Sequence, residues 1–190
     1  IAISKLNNNF DIIAAIGGGS VMDFAKAFRY YSNKNIKLIA VPTTCGTGAE
    51  STQFAVIYID GVKTSLDSAD IIPNYAIVDS QFTENNPQYL KACTAMDAFC
   101  HAIESYWSVK STPLSRKYAK KAIILCKENL INYVNSENDD YADNMMKAAN
   151  LAGKAINISR TTAAHALSYT ITSKYNLPHG HAVALSMGDL

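Results

Sequence analysis

The chain has little that breaks or loosens a backbone: among 190 residues there are only nine glycines and five prolines, about half the combined share of an ordinary protein. Disordered, collagenous and linker-like chains are thereby excluded. Charge is also scarce. Only 17% of residues are charged, against about 25% in a typical domain. Lys and Arg number 17 and Asp and Glu 16, leaving a net charge of +1. Near-neutrality removes the bulk electrostatic case for nucleic acid or an anionic membrane as partner. No apolar run approaches the ~20 residues of a membrane span, and no charged-then-apolar leader opens the chain. Cys45, Cys93, Cys100 and Cys126 show no CxxC spacing and sit among apolar neighbours. That argues against a disulfide framework or a zinc ribbon and predicts reduced, buried thiols in a cytoplasmic protein.

What the chain does have is apolar material, 48% of its residues, enough for a sizeable core. With so little charged surface, part of it is expected to be hidden by another domain, by a partner subunit in a homo-oligomer, or by further chain. The sequence opens on Ile1 and closes on Gly188-Asp189-Leu190 within a helical pattern, which reads as an internal piece of a longer protein.

Two textures divide it. Asp11–Ile16, Ile36–Val41 and Tyr75–Asp79 are short branched runs that predict buried strands, with a helix over Ser20–Tyr31 between the first two. Strand, helix, strand is a βαβ unit and implies a parallel sheet covered on both faces. Gln53–Asp60 and Val62–Leu66 predict a hairpin turning at Asp60-Gly61. Beyond Pro87 the apolar spacing becomes helical, over Gln88–Ser108, Pro113–Asn135, Asp140–Ser159 and Thr161–Tyr175. The expected organisation is an α/β domain over residues 1–84 and a helical domain over 85–190.

Three motifs carry chemistry. Gly17-Gly18-Gly19-Ser20 lies between a strand and a helix, where glycines let a bulky anion approach the free N–H groups of the helix start. The same residues also suit a plain tight turn. Pro42-Thr43-Thr44-Cys45-Gly46-Thr47-Gly48 follows the next strand, at the sheet edge where open α/β folds bind ligands; its hydroxyls suit phosphate and ribose, though an ordinary polar loop has such a composition too. Asp97 and His101 stand four apart on one helical face among Ala, Met and Ile. A carboxylate there is costly unless paired, either with the histidine alone or with a shared cation. His165 lies on a later helix, and His179 follows the Pro178 break, so a returning turn brings both toward one point. Asp97, His101, His165 and His179 then form an N3O set suited to Fe(II) or Zn(II) in a catalytic site. His181 falls on another face and reads as a supporting or structural histidine.

Taken in order, GGGSVMDFAK, PTTCGTGAES, AMDAFCHAIESY and AAHALSY…NLPHG resemble the iron-dependent (group III) alcohol dehydrogenases. The resemblance implies a dehydroquinate synthase-like architecture: a Rossmann-like dinucleotide-binding α/β part, an all-helical domain, and a metal in the cleft between them. It implies that Gly18, Gly19 and Ser20 hold the pyrophosphate of NAD or NADP, that Thr43, Thr44 and Thr47 line the cofactor, and that Lys63 reaches the nicotinamide ribose. It also implies that Asp97, His101, His165 and His179 are the metal ligands. Tyr169 stands where many members carry a histidine. The first βα unit, with the residue that selects NAD or NADP, is expected upstream of Ile1, and the rest of the helical domain beyond Leu190. The stretches Glu104–Thr112 and Ser159–Tyr169 look most like phosphonoacetaldehyde reductases, which implies reduction of phosphonoacetaldehyde to 2-hydroxyethylphosphonate. Arg160 is then the candidate contact for the substrate anion; the plainer reading pairs it with a surface carboxylate. The alternatives are a general short-chain alcohol dehydrogenase and a metal-free nucleotide-binding module that keeps only the fold. A dehydroquinate synthase-like lyase is disfavoured by the GTGAE continuation of the threonine loop.

Overall fold

The computed structural model describes residues 10–32, 35–59, 62–136 and 138–190, the side chains of residues 58, 59, 62 and 63 lying outside that description. Strand β1 (Ile12–Gly17), helix α1 (Gly19–Tyr31) and strand β2 (Lys37–Pro42) form the expected strand–helix–strand unit, and β1 pairs with β2 in parallel from Ile12↔Lys37 to Gly17↔Pro42. β5 (Tyr75–Ala76) adds to the far side of β2, giving the order β1-β2-β5. Ala15, Leu38 and Ala40 of the sheet close on Met22 and Ala25 of α1 and on Ala49.

Among the described residues the opposite face is open along β1 and β5, though Val41 of β2 is buried there. Ile12, Ile16 and Tyr75 are exposed, so the expectation of two covered faces is met on one face among the described residues. The sequence carries apolar residues for both faces, but among the described residues α1 is the α-helix laid against these strands. The third strand is also shorter than the predicted 75–79, since only Tyr75 and Ala76 pair with β2.

β3 (Phe54–Ile59) and β4 (Val62–Asp67) form the antiparallel hairpin, registered Phe54↔Asp67 through Ile59↔Val62; the predicted Asp60-Gly61 turn lies outside the described residues. The hairpin packs on α1 through Ala27, Ala55, Leu66 and Ile71. Lys26, fully buried, joins the two by donating from Nζ to Thr52 Oγ1 and to the Phe54 carbonyl, both at 2.9 Å.

The second half is helical: α2 (Gln88–Trp107), α3 (Pro113–Asn135), α4 (Asp139–Ser159), α5 (Ala163–Tyr175) and α6 (His179–Met187). α3 starts on a reciprocal cap in which Thr112 Oγ1 accepts from Ser115 N and Ser115 Oγ accepts from Thr112 N, with Pro113 in the first turn. Small residues (Ala102, Ala122 and Ala152) meet where α2, α3 and α4 approach one another. A second cluster of Ala95, Cys126, Tyr133, Met145 and Met146 takes in Cys45 from the threonine loop, so that loop is rooted in the helical core. All four cysteines are buried and unbridged. Among the described residues no helix is long and apolar enough to cross a membrane.

Candidate metal centre

Residues 97, 101 and 104 are spaced i, i+4, i+7 and therefore share one face of α2. All three side chains (Asp97, His101 and Glu104) are buried. Two further elements bring histidines to that face. α5 supplies His165 from its first turn. α6 supplies His179 as its first residue, directly after Pro178. The return from α5 to α6 takes three residues, beginning with Asn176 in the left-handed conformation (φ 53°). Gly180 then lets α6 lie flat on α2: a Cβ added there would fall 1.9 Å from the Cys93 carbonyl oxygen and 3.0 Å from Asp97 Cβ. No other residue allows that approach, and the approach sets His179 beside Asp97.

The result is a convergence on one carboxylate oxygen. Asp97 Oδ1 lies 3.3 Å from His165 Nε2, 3.7 Å from His179 Nε2 and 3.9 Å from His101 Nε2. One donor atom each from Asp97, His165 and His179 fall within 4.8 Å of one another, a spacing that one cation can span. His101 stacks on His165 with ring centroids 4.3 Å apart and has a buried Nδ1 without a hydrogen-bond partner. Tyr169 lies parallel to His179 at 6.0 Å.

Glu104 organises this cluster, and the motif reading gave it no role. Its Oε1 accepts from Thr162 Oγ1 at 2.9 Å, Ala164 N at 2.8 Å and His165 N at 3.3 Å, and its Oε2 accepts from His165 Nδ1. Thr162 Oγ1 in turn accepts from Trp107 Nε1 at 2.9 Å. The signal available in the sequence was the i+7 position on the ligand face.

Electrostatics follow from burial against pairing. Burial works against the ionised Asp97, but His101, His165 and His179 together hold its carboxyl well below the usual range. His101 is drawn down to about 4, chiefly by burial, against the pull of Asp97. Burial also opposes a charged His165, yet its bonds to Asp97 and Glu104 raise it; the same His165 bond pulls Glu104 down despite burial. With Nδ1–H committed to Glu104, the neutral ring of His165 presents its Nε2 lone pair to the Asp97 oxygen. Two acceptors at 3.3 Å are held apart by repulsion unless a proton or a cation lies between them. The donor set of imidazoles and one carboxylate in an apolar wall fits a divalent transition metal.

The other expected residues are placed as follows. His181 is not part of this cluster's contacts and is engaged by Tyr89 at the start of α2, with Nδ1 2.8 Å from the Tyr89 hydroxyl. Gly18 is the N-cap of α1, no side chain caps the helix, and its first turn holds no acidic residue; Ser20 is exposed rather than capping. The glycine turn faces the threonine loop: a Cβ on Gly18 would lie 3.5 Å from Thr44 and one on Gly19 2.8 Å from Thr47 Cγ2. Asn86 Nδ2 donates to the Thr43 carbonyl at 2.8 Å. Gly46 approaches Thr94, one helical turn before Asp97, which sets the loop against the ligand-bearing helix. Lys63 belongs to β4, but its side chain lies outside the description. Arg160 has other partners than a substrate: Nη2 pairs with Asp67 Oδ2 at 2.8 Å, and the guanidinium lies 4.1 Å from the Phe54 ring centroid.

Residues 91–189 match the family model "Fe-containing alcohol dehydrogenase family, C-terminal" and residues 2–80 match "Iron-containing alcohol dehydrogenase". Phosphonoacetaldehyde reductase of Streptomyces viridochromogenes is 32% identical over 95% of this chain and 52% of its own length. The 4-hydroxybutyrate dehydrogenase of Clostridium kluyveri is 32% identical over 93% of this chain and 53% of its own. The crystal structure of sulfoacetaldehyde reductase from Bifidobacterium kashiwanohense in complex with NAD+ superposes with a TM-score of 0.90 at 33% identity, covering 94% of this chain and 53% of that one. The chain thus spans about half the length of the relatives it matches.

Proposed function

This chain belongs to the iron-containing alcohol dehydrogenase family, and from that premise we propose that it carries the catalytic cleft of a metal-dependent oxidoreductase exchanging hydride between NAD(P)H and a short aldehyde or primary alcohol. The single observation that carries this reading is the convergence of three imidazole Nε2 atoms on Asp97 Oδ1. Asp97, His165 and His179 hold Fe(II), or Zn(II), with His101 as the fourth ligand. Bound there, the cation supplies Lewis acidity toward a carbonyl oxygen. Gly18 and Gly19 present unhindered backbone to a pyrophosphate, while Thr43, Thr44 and Thr47 offer hydroxyls from the facing loop. Residues 1–84 form the dinucleotide-binding part and residues 85–190 the metal-binding part. Asp97 itself is buried, and no side chain in the cluster is placed as a dedicated general acid.

For the substrate we propose an aldehyde with an anionic group, phosphonoacetaldehyde first. Its support is similarity to reductases named for phosphonate and sulfonate aldehydes, and not Arg160, which is engaged by Asp67. Two measurements on the full-length protein test the reading. His179→Ala should abolish zinc retention measured by elemental analysis while His181→Ala retains it; equal retention removes the ligand assignment. NAD(P)H oxidation should proceed with higher kcat/KM for phosphonoacetaldehyde than for butyraldehyde, and the reverse order leaves a general short-chain alcohol dehydrogenase.

A further inference from the structure

Among the described residues, Glu104 is the one fully buried carboxylate in the helical half that belongs to no proposed ligand set. It stands on the ligand face of α2, and both of its oxygens are spent on α5. That helix has no side-chain cap of its own, since Thr162 at the N-cap position makes no capping bond. Instead Glu104 reaches across from α2 and takes the Ala164 and His165 N–H groups and the Thr162 hydroxyl. A negative charge at a helix N-terminus is favourably placed, and its bonds are charge-assisted. The same carboxylate accepts from His165 Nδ1, so one residue fixes both the start of α5 and the ring of the histidine it carries.

We propose that Glu104 is a positioning residue that holds His165 in the Nδ1–H form and aims its Nε2 at the cation site shared with Asp97 and His179. The inference rests on the metal reading above. A ligating imidazole needs a lone pair on the metal side and a proton on the other, and an outer carboxylate sets both while increasing the ring's basicity. Glutamine at this position keeps the shape but replaces one accepting oxygen with an NH2 group, which cannot accept from His165 Nδ1 and from the α5 backbone at once.

The test uses the full-length protein and zinc. In a chelator competition, Glu104→Gln should bind Zn(II) about 10- to 100-fold more weakly than wild type. The cobalt-substituted variant should show altered d–d bands, a readout that loss of helix stability alone would not move. Glu104→Asp, which keeps the charge, should recover part of the affinity. Equal zinc affinity and unchanged cobalt bands in Glu104→Gln overturn the proposal and leave the metal reading intact. A wild type that binds no zinc overturns both. Should Glu104→Gln fail to fold, 15N NMR of the zinc-loaded wild type decides: His165 protonated at Nδ1 and metal-bound at Nε2 supports the proposal, and any other state of that ring refutes it.

Discussion

At the scale of single residues, Arg160 and Lys26 show how the surroundings set what a cation does. Arg160 adopts φ 66° and ψ 172° at the end of α4, a backbone region that is nearly glycine-only and costs about 1–3 kcal/mol. Its pair with Asp67 is partly exposed and contributes at most about 1 kcal/mol. Arg160→Ala therefore keeps the strain and loses the pair, whereas Arg160→Gly loses both. Urea denaturation should find the glycine variant more stable than the alanine variant by about 1 kcal/mol. The ratio of kcat/KM for phosphonoacetaldehyde over butyraldehyde should stay within about threefold of wild type in Arg160→Ala, because a guanidinium held by Asp67 is not available to substrate. A selective loss on the anionic aldehyde would return Arg160 to the site. Lys26 is buried, and burial lowers its pKa from 10.5 to about 8 against the attraction of Asp23 and Glu50. Between those values the unfolded chain holds more protons than the folded one, so the stability contributed at this site rises with pH. The full span is on the order of 3 kcal/mol. Wild type should gain on Lys26→Met in denaturation midpoints from about pH 8 to 10.5; a constant gap would mean that Lys26 titrates alike in both states.

At the scale of elements, the decisive contact is α6 on α2. Gly180→Ala places a Cβ 1.9 Å from the Cys93 carbonyl oxygen, and the helix must move away. Such overpacking costs about 1–3 kcal/mol, and the displacement carries His179 away from Asp97. Thermal unfolding of the apoprotein and zinc competition should both register the change, and loss of one without the other would separate packing from ligation. Much of this level was legible in the sequence. Helical periodicity placed α2 through α5 within two residues of their observed starts and ends, and the i, i+4 spacing of Asp97 and His101 located the face on which the cluster forms. What could not be read was the contact between faces. Nothing in the spacing of Gly180 says that its neighbour is Cys93, and nothing in the order of helices says that Glu104 caps α5. The start of α1 was read one residue late because Ser20 is a good capping residue, whereas Gly18 takes the N-cap place by backbone geometry. Lys63, the last residue of the cofactor motif, has no described side chain to compare.

At the scale of the molecule, the two halves meet at backbone. Gly48 of the threonine loop, with φ 59°, touches Gly153 in the middle of α4, where a Cβ on Gly153 would lie 2.4 Å from the Gly48 carbonyl oxygen. Asn150, one turn earlier on α4, donates to Glu50 Oε1 and Ser51 Oγ. In an isolated helix Gly153→Ala would be worth about 1 kcal/mol. Here it should destabilise instead, with a lower Tm and weaker NADH binding, because the loop is pushed off the helix that supports it. A stabilised variant with unchanged NADH binding would show that the loop tolerates the displacement. The open face of the β1-β2-β5 sheet belongs to the same scale, with Ile12, Ile16 and Tyr75 standing exposed on it.

The hydrogen bond from Trp107 to Thr162 has an optical consequence. Trp107 is the only indole in the chain, and its N–H reaches the hydroxyl that donates to Glu104. Emission from this residue therefore samples the junction between α4 and α5, three hydrogen bonds away from His165 by way of Thr162 and Glu104, without any attached dye. Its wavelength and quenching give a native signal for filling of the cluster, and stopped-flow mixing can time that event on the millisecond scale.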